Sequence, residues 1–236
     1  MEGRIVPQTP MRRAVAHRMT ASKQQAPHFY VQTEVAMDAL NAILEEESAR
    51  TGERVTATAA LVVACAAALR AQPQFNAVWT DDGLLQADEV NVGVAVALDA
   101  GLIAPALLGV HRLDLAETAA ALHDLVQRAR SGKLRGAEIN DATFTLSNLG
   151  MFDVSAFTAI VTPPQVAILA TGRALPRVVP VDGEPRVLSI LTATLSADHR
   201  AVDGAEAARF LEAFKGAIED PRSLLSKSEQ LEEARS

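Results

Sequence analysis

The sequence predicts an α/β (α+β) fold: one mixed sheet covered by helices, in a single domain. Three observations carry this. Segments with helical spacing of apolar residues alternate with short β-type runs along the chain. With 236 residues, 49% of them hydrophobic, the chain can bury one sizeable core. No internal repeat, low-complexity linker or composition break marks a second domain.

Thr9-Pro10 reads as the N-cap and first position of a helix that runs to about Lys23, with a basic face of Arg12, Arg13, His17, Arg18 and Lys23. Pro27 stops it, and residues 28–35 alternate as a strand. Residues 38–50 form an amphipathic helix that ends before Gly52. Thr56 caps a second helix, apolar on nearly every side to Leu69 and therefore buried. Residues 77–86 form a hairpin turning at Asp81-Asp82-Gly83. A strand of small residues covers 90–98 and turns at Asp99-Ala100-Gly101. It returns over 102–107, where Pro105 favours an edge or a bulge. A long helix covers 114–134. Strands follow at 143–147, 165–171, 177–181 and 186–196, with a turn at Asp182-Gly183-Glu184. The last helix runs from Gly204 to about Ile218 and is stopped by Pro221. Residues 226–236 form a polar tail expected to fray.

Composition excludes several classes of function. The net charge of −7 argues against nucleic acid, whose phosphates need a basic field. Cys65 is the only cysteine, so neither an intrachain disulfide nor a cysteine-based metal site is expected. It lies in the apolar run 58–69 and reads as a buried helical residue. That run is too short to span a bilayer, and the polar N-terminus does not read as a secretory signal. A soluble, cytoplasmic protein without membrane contact is the expectation. Aromatic residues make up only 4% of the chain, so a core of small and branched side chains is expected.

Two stretches carry candidate chemistry. In Ala197-Asp198-His199-Arg200-Ala201-Val202-Asp203-Gly204, a histidine leaves a strand and Asp-Gly opens a helix. An imidazole at such a junction can serve as a solvent-reachable base near neutral pH. The simpler reading of a lone loop histidine is an exposed or structurally bonded ring. Asp203-Gly204-Ala205-Glu206 also has capping-box spacing, and a cap that fixes the loop is compatible with a role at the site. The second stretch, Thr143-Phe144-Thr145-Leu146-Ser147-Asn148-Leu149-Gly150, is a strand ending in hydroxyl and amide side chains.

Together these stretches resemble the catalytic domain of the dihydrolipoamide acyltransferases, the core subunits of 2-oxo acid dehydrogenase complexes. The Asp-His-Arg-x-x-Asp-Gly run is matched at 198–204, and the Ser-Asn-Leu-Gly segment places Ser147. Residues 11–19 with Ser22-Lys23 and Pro27-His28-Phe29 are similar to the family's opening helix and strand. Residues 92–96 with 101–105, and 157–160 with 163–169, continue the likeness, which covers roughly 8–225.

The resemblance implies a chloramphenicol-acetyltransferase-like fold and acyl transfer between dihydrolipoamide and coenzyme A, with coenzyme A a substrate and no metal. The catalytic residues it implies are His199 as general base, Ser147 as donor to the oxyanion, and Asp203 holding the loop; Arg12 and Arg13 are candidate partners of Asp203, with solvated surface charge their other reading. Ser147-Asn148-Leu149-Gly150-Met151-Phe152 looks most like the pyruvate-complex members, which transfer acetyl. The resemblance also implies a homotrimer whose sites lie between chains, with other subunits of a 2-oxo acid dehydrogenase complex as partners. No coenzyme A ligand is identified; Arg18 and Lys23 are candidates only because they share a basic helix face. His28 begins a strand that lines the channel or serves the structure alone.

The sequence departs from the family in places. Asn140-Asp141-Ala142 stands where glycines are favoured, and Asp153 where a glycine is usual. The chain reads as one catalytic domain over 1–236, without the family's lipoyl and subunit-binding domains, so the lipoyl group comes from another domain or chain. The polar run after Leu225, in place of an apolar stub, predicts trimers that do not close into a cage. Two other readings stay open: a stand-alone acetyltransferase of the chloramphenicol type, and a structural core protein without turnover.

Overall fold

Thr9 caps the first helix, α1 (Pro10–Gln25), by accepting from the Arg12 amide at 3.2 Å, and Pro10 occupies the first turn, where no N–H is needed. This is the computed structural model of the protein, which describes residues 3–98 and 101–225. Strand β1 (His28–Ala36) leads to α2 (Asp38–Thr51), which stops at Gly52 in the left-handed region. Helix α3 (Ala57–Ala71) is capped by Thr56 and buries ten of its residues, as its nearly all-round apolar pattern requires. Strands β2 (Ala77–Thr80) and β3 (Gly83–Gln86) form the expected hairpin.

The run expected as one strand over 90–98 divides. Strand β4 (Val92–Val94) stays in the main sheet, while β5 (Val96–Leu98) leaves it to pair with β6 (Gly101–Ile103). The return strand divides too, and β7 (Ala106–Leu107) pairs with β4. The cause lies around Pro105, which supplies a carbonyl to Val94 but has no N–H to continue a ladder. Asp99 and Ala100 of the expected turn, and the expected tail 226–236, lie outside the described residues.

Asp114 opens α4 (Leu115–Arg130) with a full capping box to Glu117. The helix ends before the expected Leu134, because Ser131 caps it and Gly132 adopts a φ of 69°. The sequence reading lacked the short α5 (Gly136–Asn140), which an ion pair of Glu138 with Arg128 ties to α4. Strands β8 (Phe144–Asn148), β9 (Ala167–Thr171), β10 (Leu175–Val181) and β11 (Glu184–Asp198) follow, then α6 (Gly204–Glu219).

The main sheet has seven strands in the order β1-β11-β9-β8-β4-β7, with β10 pairing the outer half of β11. It is mixed: β8 runs parallel to β4 and β9, and the other pairs are antiparallel. Helices α3 and α6 cover one face, where the rings of Phe75 and Phe144 lie 5.0 and 5.4 Å from Phe210. These three rings meet between sheet and helices, and buried alanines of α3 pack in the same core. The α/β architecture is the one expected.

The opposite face is polar and nonetheless buried: Thr145, Thr194, Ser196 and Asp198 are all nearly inaccessible. Buried hydroxyls need partners. Thr145 donates to the Gln165 Oε1 at 2.7 Å, and Thr194 accepts from the Gln32 Nε2 at 2.9 Å, while the buried Ser196 Oγ has no partner among the described residues. The segment between β8 and β9 is held against α1 by Ser22, which donates to the Val161 carbonyl at 2.6 Å.

Two glycines make a sensitive test of this packing. A Cβ on Gly172 would lie 2.2 Å from the Ser155 carbonyl oxygen and 2.7 Å from that of Val154, both backbone atoms. A Cβ on Gly216, in α6, would meet nothing within 4 Å. Gly172→Ala is expected to cost about 2 kcal/mol or more, and Gly216→Ala to add up to about 1 kcal/mol. Urea unfolding midpoints check both, and an unchanged midpoint for Gly172→Ala would contradict the packing described.

Candidate active site

Strand β11 ends at Asp198, and the next residue, His199, is exposed on a turn over 199–201. Its amide donates to the Pro27 carbonyl at 3.0 Å, which ties the turn to the start of β1. The imidazole lies on Phe29, with ring centroids 4.6 Å apart and the planes 49° to each other. Among the described residues, no group hydrogen-bonds either ring nitrogen. The ring is therefore positioned by packing and keeps both nitrogens free for a substrate.

The residues on either side of His199 lock the turn. Asp198 is 2% exposed, and its carboxylate accepts from the Arg200 amide and from Arg200 Nε and Nη2, at 2.6–3.1 Å. This pairing holds the guanidinium above its ordinary pKa, so Arg200 stays charged. The other side of Arg200 meets Trp79 of β2, with Cζ 4.5 Å from the indole centroid. Sequence reasoning quoted Asp198 and Arg200 but gave them no role, and it missed Trp79 altogether. The available signal was an acid and a base flanking the histidine; the tryptophan is brought in only by the fold.

Asp203 is the N-cap of α6. Its carboxylate accepts from the Glu206 amide at 2.9 Å, and Glu206 Oε2 accepts from the Asp203 amide at 2.8 Å. The capping box is thus present as the spacing predicted. The expected pairing of Asp203 with Arg12 or Arg13 is not found. The Arg12 amide bonds Thr9, the Arg13 Nη1 donates to Gln8, and α1 faces the segment before β9 instead. Arg18 donates to the Pro163 carbonyl, and Lys23 bonds the Tyr30 hydroxyl, so both basic candidates have protein partners. His28 is structural: Nδ1 bonds the Ala26 carbonyl and Nε2 accepts from the Val161 amide. Burial pushes the Cys65 thiol up, which removes it as a thiolate nucleophile.

Ser147 is half-buried on the polar face of β8, and no hydrogen bond to its hydroxyl is present among the described residues. Asn148 shapes the exit from the strand. Its Nδ2 donates to Thr58 on α3, and its Oδ1 accepts from the Gly150 amide.

The sheet register fixes how far Ser147 lies from His199. Ser147 is level with Ala170, and Ala170 with Thr194, two strands away. His199 lies five residues beyond Thr194. At about 3.3 Å per residue and about 4.8 Å per strand spacing, the two are on the order of 19 Å apart. A base and an oxyanion donor must both reach one reacting centre at hydrogen-bond distance. Within one chain they do not.

Among the described residues no group of three or more His, Cys, Asp or Glu side chains is placed to hold a metal. No helix among them is long and apolar enough to cross a membrane.

Residues 2–226 match the family model of the 2-oxoacid dehydrogenases acyltransferase (catalytic domain). The mitochondrial dihydrolipoyllysine-residue acetyltransferase component of the pyruvate dehydrogenase complex of Schizosaccharomyces pombe is 40% identical over 230 residues, 93% of this chain and 47% of that protein. The chain thus spans about half the length of such relatives. A structure of the Azotobacter vinelandii dihydrolipoamide acetyltransferase, from work on the roles of a serine, a histidine and an asparagine in its catalytic mechanism, superposes with a TM-score of 0.89 at 32% identity, covering 94% of each chain. A chloramphenicol acetyltransferase superposes with a TM-score of 0.56 at 14% identity, over 86% of this chain and 92% of that one, a likeness of fold alone.

The cap can be tested separately from any chemistry. Asp203→Ala is expected to cost about 1 kcal/mol, and Asp203→Asn, which can still accept from the Glu206 amide, a few tenths at most. Thermal unfolding of both variants checks this, and equal losses would show that the carboxylate does something other than cap.

Proposed function

This chain belongs to the 2-oxoacid dehydrogenase acyltransferase family, and from that premise we propose that it moves an acyl group, acetyl, between a dihydrolipoyl thiol and coenzyme A. The observation that carries the proposal is the locked Asp198-His199-Arg200 turn, which presents an imidazole with no hydrogen-bond partner among the described residues. The serine, histidine and asparagine named for the Azotobacter enzyme are separated by the same intervals as Ser147, His199 and Asp203, with an aspartate here in the last place.

A thiol with a pKa of about 8.5 is mostly protonated at neutral pH. His199 takes the thiol proton of coenzyme A as the sulfur attacks the acyl carbonyl carbon. The carbonyl becomes an oxyanion, and Ser147 donates a hydrogen bond to it, an interaction worth about 3 kcal/mol of barrier. The carbon–sulfur bond to the dihydrolipoyl group then breaks, and its sulfur takes the proton from His199. Each bond formed is matched by one broken, and no metal or covalent enzyme intermediate enters. Asp203, through its cap, holds the turn that carries His199.

A gap of about 19 Å between the base and the oxyanion donor supports a site shared between two chains of a closed cyclic oligomer, which we take to be a homotrimer. One chain supplies His199 and its neighbour Ser147. The dihydrolipoyl substrate arrives on another domain or chain, and the partners are the other subunits of a pyruvate dehydrogenase type complex. The chain functions as one catalytic domain. The location is a soluble compartment, the cytoplasm in a bacterium and an organelle interior for a mitochondrial counterpart. The net charge of −7 leaves nucleic acid out of the reading. The drug-acetylating and non-catalytic alternatives have less support, since the first rests on fold alone and the second leaves the unbonded imidazole without a purpose.

Thioester exchange between acetyl-CoA and free dihydrolipoamide tests the reaction. His199→Ala is expected to lower kcat about 10²–10⁴-fold with its circular dichroism unchanged. Exchange that is equal in both proteins would remove His199 as the base. Light scattering tests the assembly: a particle of trimer size or a multiple of it is expected, and a monomer would overturn the reading of a site shared between chains.

A further inference from the structure

The sequence contains one tryptophan, Trp79, and the fold brings it to the turn that carries His199 although it is far away in the chain. Trp79 is fastened in turn. Its amide donates to the Pro164 carbonyl at 2.9 Å, and Val78 bridges to Gln165. Gln165 is bonded to Thr145 and to the Ala142 carbonyl, on either side of the start of β8. The backbone that carries the indole is therefore anchored, and the Arg200 guanidinium lies over the ring while bonding Asp198.

We propose that Trp79 is a positioning residue for the acyl-transfer reaction: it fixes Arg200, and through the Asp198–Arg200 pair it sets the turn that aims the His199 imidazole. Arg200 has a solvent-facing side, with its side chain 34% exposed, so the carboxylate alone leaves it freedom to swing. The flat indole face removes that freedom, because a guanidinium stacks on an aromatic plane in a narrow range of orientations. The imidazole lies on Phe29 and has no hydrogen bond among the described residues, so its aim depends on the backbone of the turn. A small displacement of a reacting group costs rate rather than affinity. This inference rests on the proposed acyl transfer for its kinetic readout but not for its spectroscopic one.

Trp79→Leu keeps bulk and removes the ring face; Trp79→Phe keeps a smaller face. Trp79→Leu is expected to lower kcat for thioester exchange about tenfold with KM for coenzyme A and dihydrolipoamide nearly unchanged, and Trp79→Phe to recover most of the loss. A Trp79→Leu enzyme within twofold of wild type, or a parallel rise in both KM values, would overturn the positioning role. Arg200→Lys, which keeps the charge and loses the plane, supplies the independent readout. Because Trp79 is the sole tryptophan, its emission is expected to shift and its quenching by acrylamide to increase in this variant. Emission and quenching identical to wild type would overturn the clamp, whether or not the protein exchanges thioesters. A chain with no exchange but with the shifted emission would retain the clamp and lose the reaction.

Discussion

The ladder that joins β8 to β9 and β9 to β11 holds Ser147 and His199 apart by a distance that no side-chain rotation closes. Backbone hydrogen bonds in a buried sheet do not slip by a residue without moving every side chain to the opposite face. Here one face is the apolar core under α3 and α6, and the other carries buried hydroxyls, of which Thr145 and Thr194 are hydrogen-bonded, so a slip would disrupt both. The register is thereby protected, and the separation with it. On the proposed mechanism each chain carries two half-sites at distant positions on one sheet, and assembly is then a condition of chemistry and not an addition to it.

Around His199, the interactions differ in weight. An ion pair in water contributes little, whereas a buried carboxylate left without its partner is strongly unfavourable. Asp198 is the buried case, with 3% of its side chain exposed, so its hydrogen bonds with Arg200 compensate a carboxylate taken out of water. Glu34 and Arg177, roughly half-exposed, are an example of the other kind. The buried pair flanks the histidine, and the Asp203 cap follows in the next turn of chain. The imidazole is thus exposed for use while the backbone on both sides of it is not free to move.

What was legible in the sequence was local. Thr9-Pro10, Thr56 and the Asp203-to-Glu206 spacing announced three helix starts, because a cap is decided by residues within one turn. The division of the strand at Ala95 was not legible, since it depends on Pro105 returning beside Val94. The pairing of Asp203 with Arg12 or Arg13 failed because opposite charges in a list do not reveal that α1 packs toward Val161 and Pro163. The candidates His199 and Ser147 came from motif likeness. Their separation required the strand order, and the approach of Trp79 to Arg200 required the hairpin to dock beside the strand end. Neither is written in any spacing along the chain.

The central claim, a site built from His199 of one chain and Ser147 of its neighbour, is tested most directly by complementation. His199→Ala and Ser147→Ala proteins, each deficient in exchange, are co-expressed so that mixed oligomers form. In a cyclic trimer assembled at random from equal amounts, about one site in four receives an intact histidine and an intact serine. Exchange activity near a quarter of wild type is the expected result. Mixed oligomers no more active than the better single variant would contradict the claim, and would return both residues to a site within one chain that the sheet register does not allow.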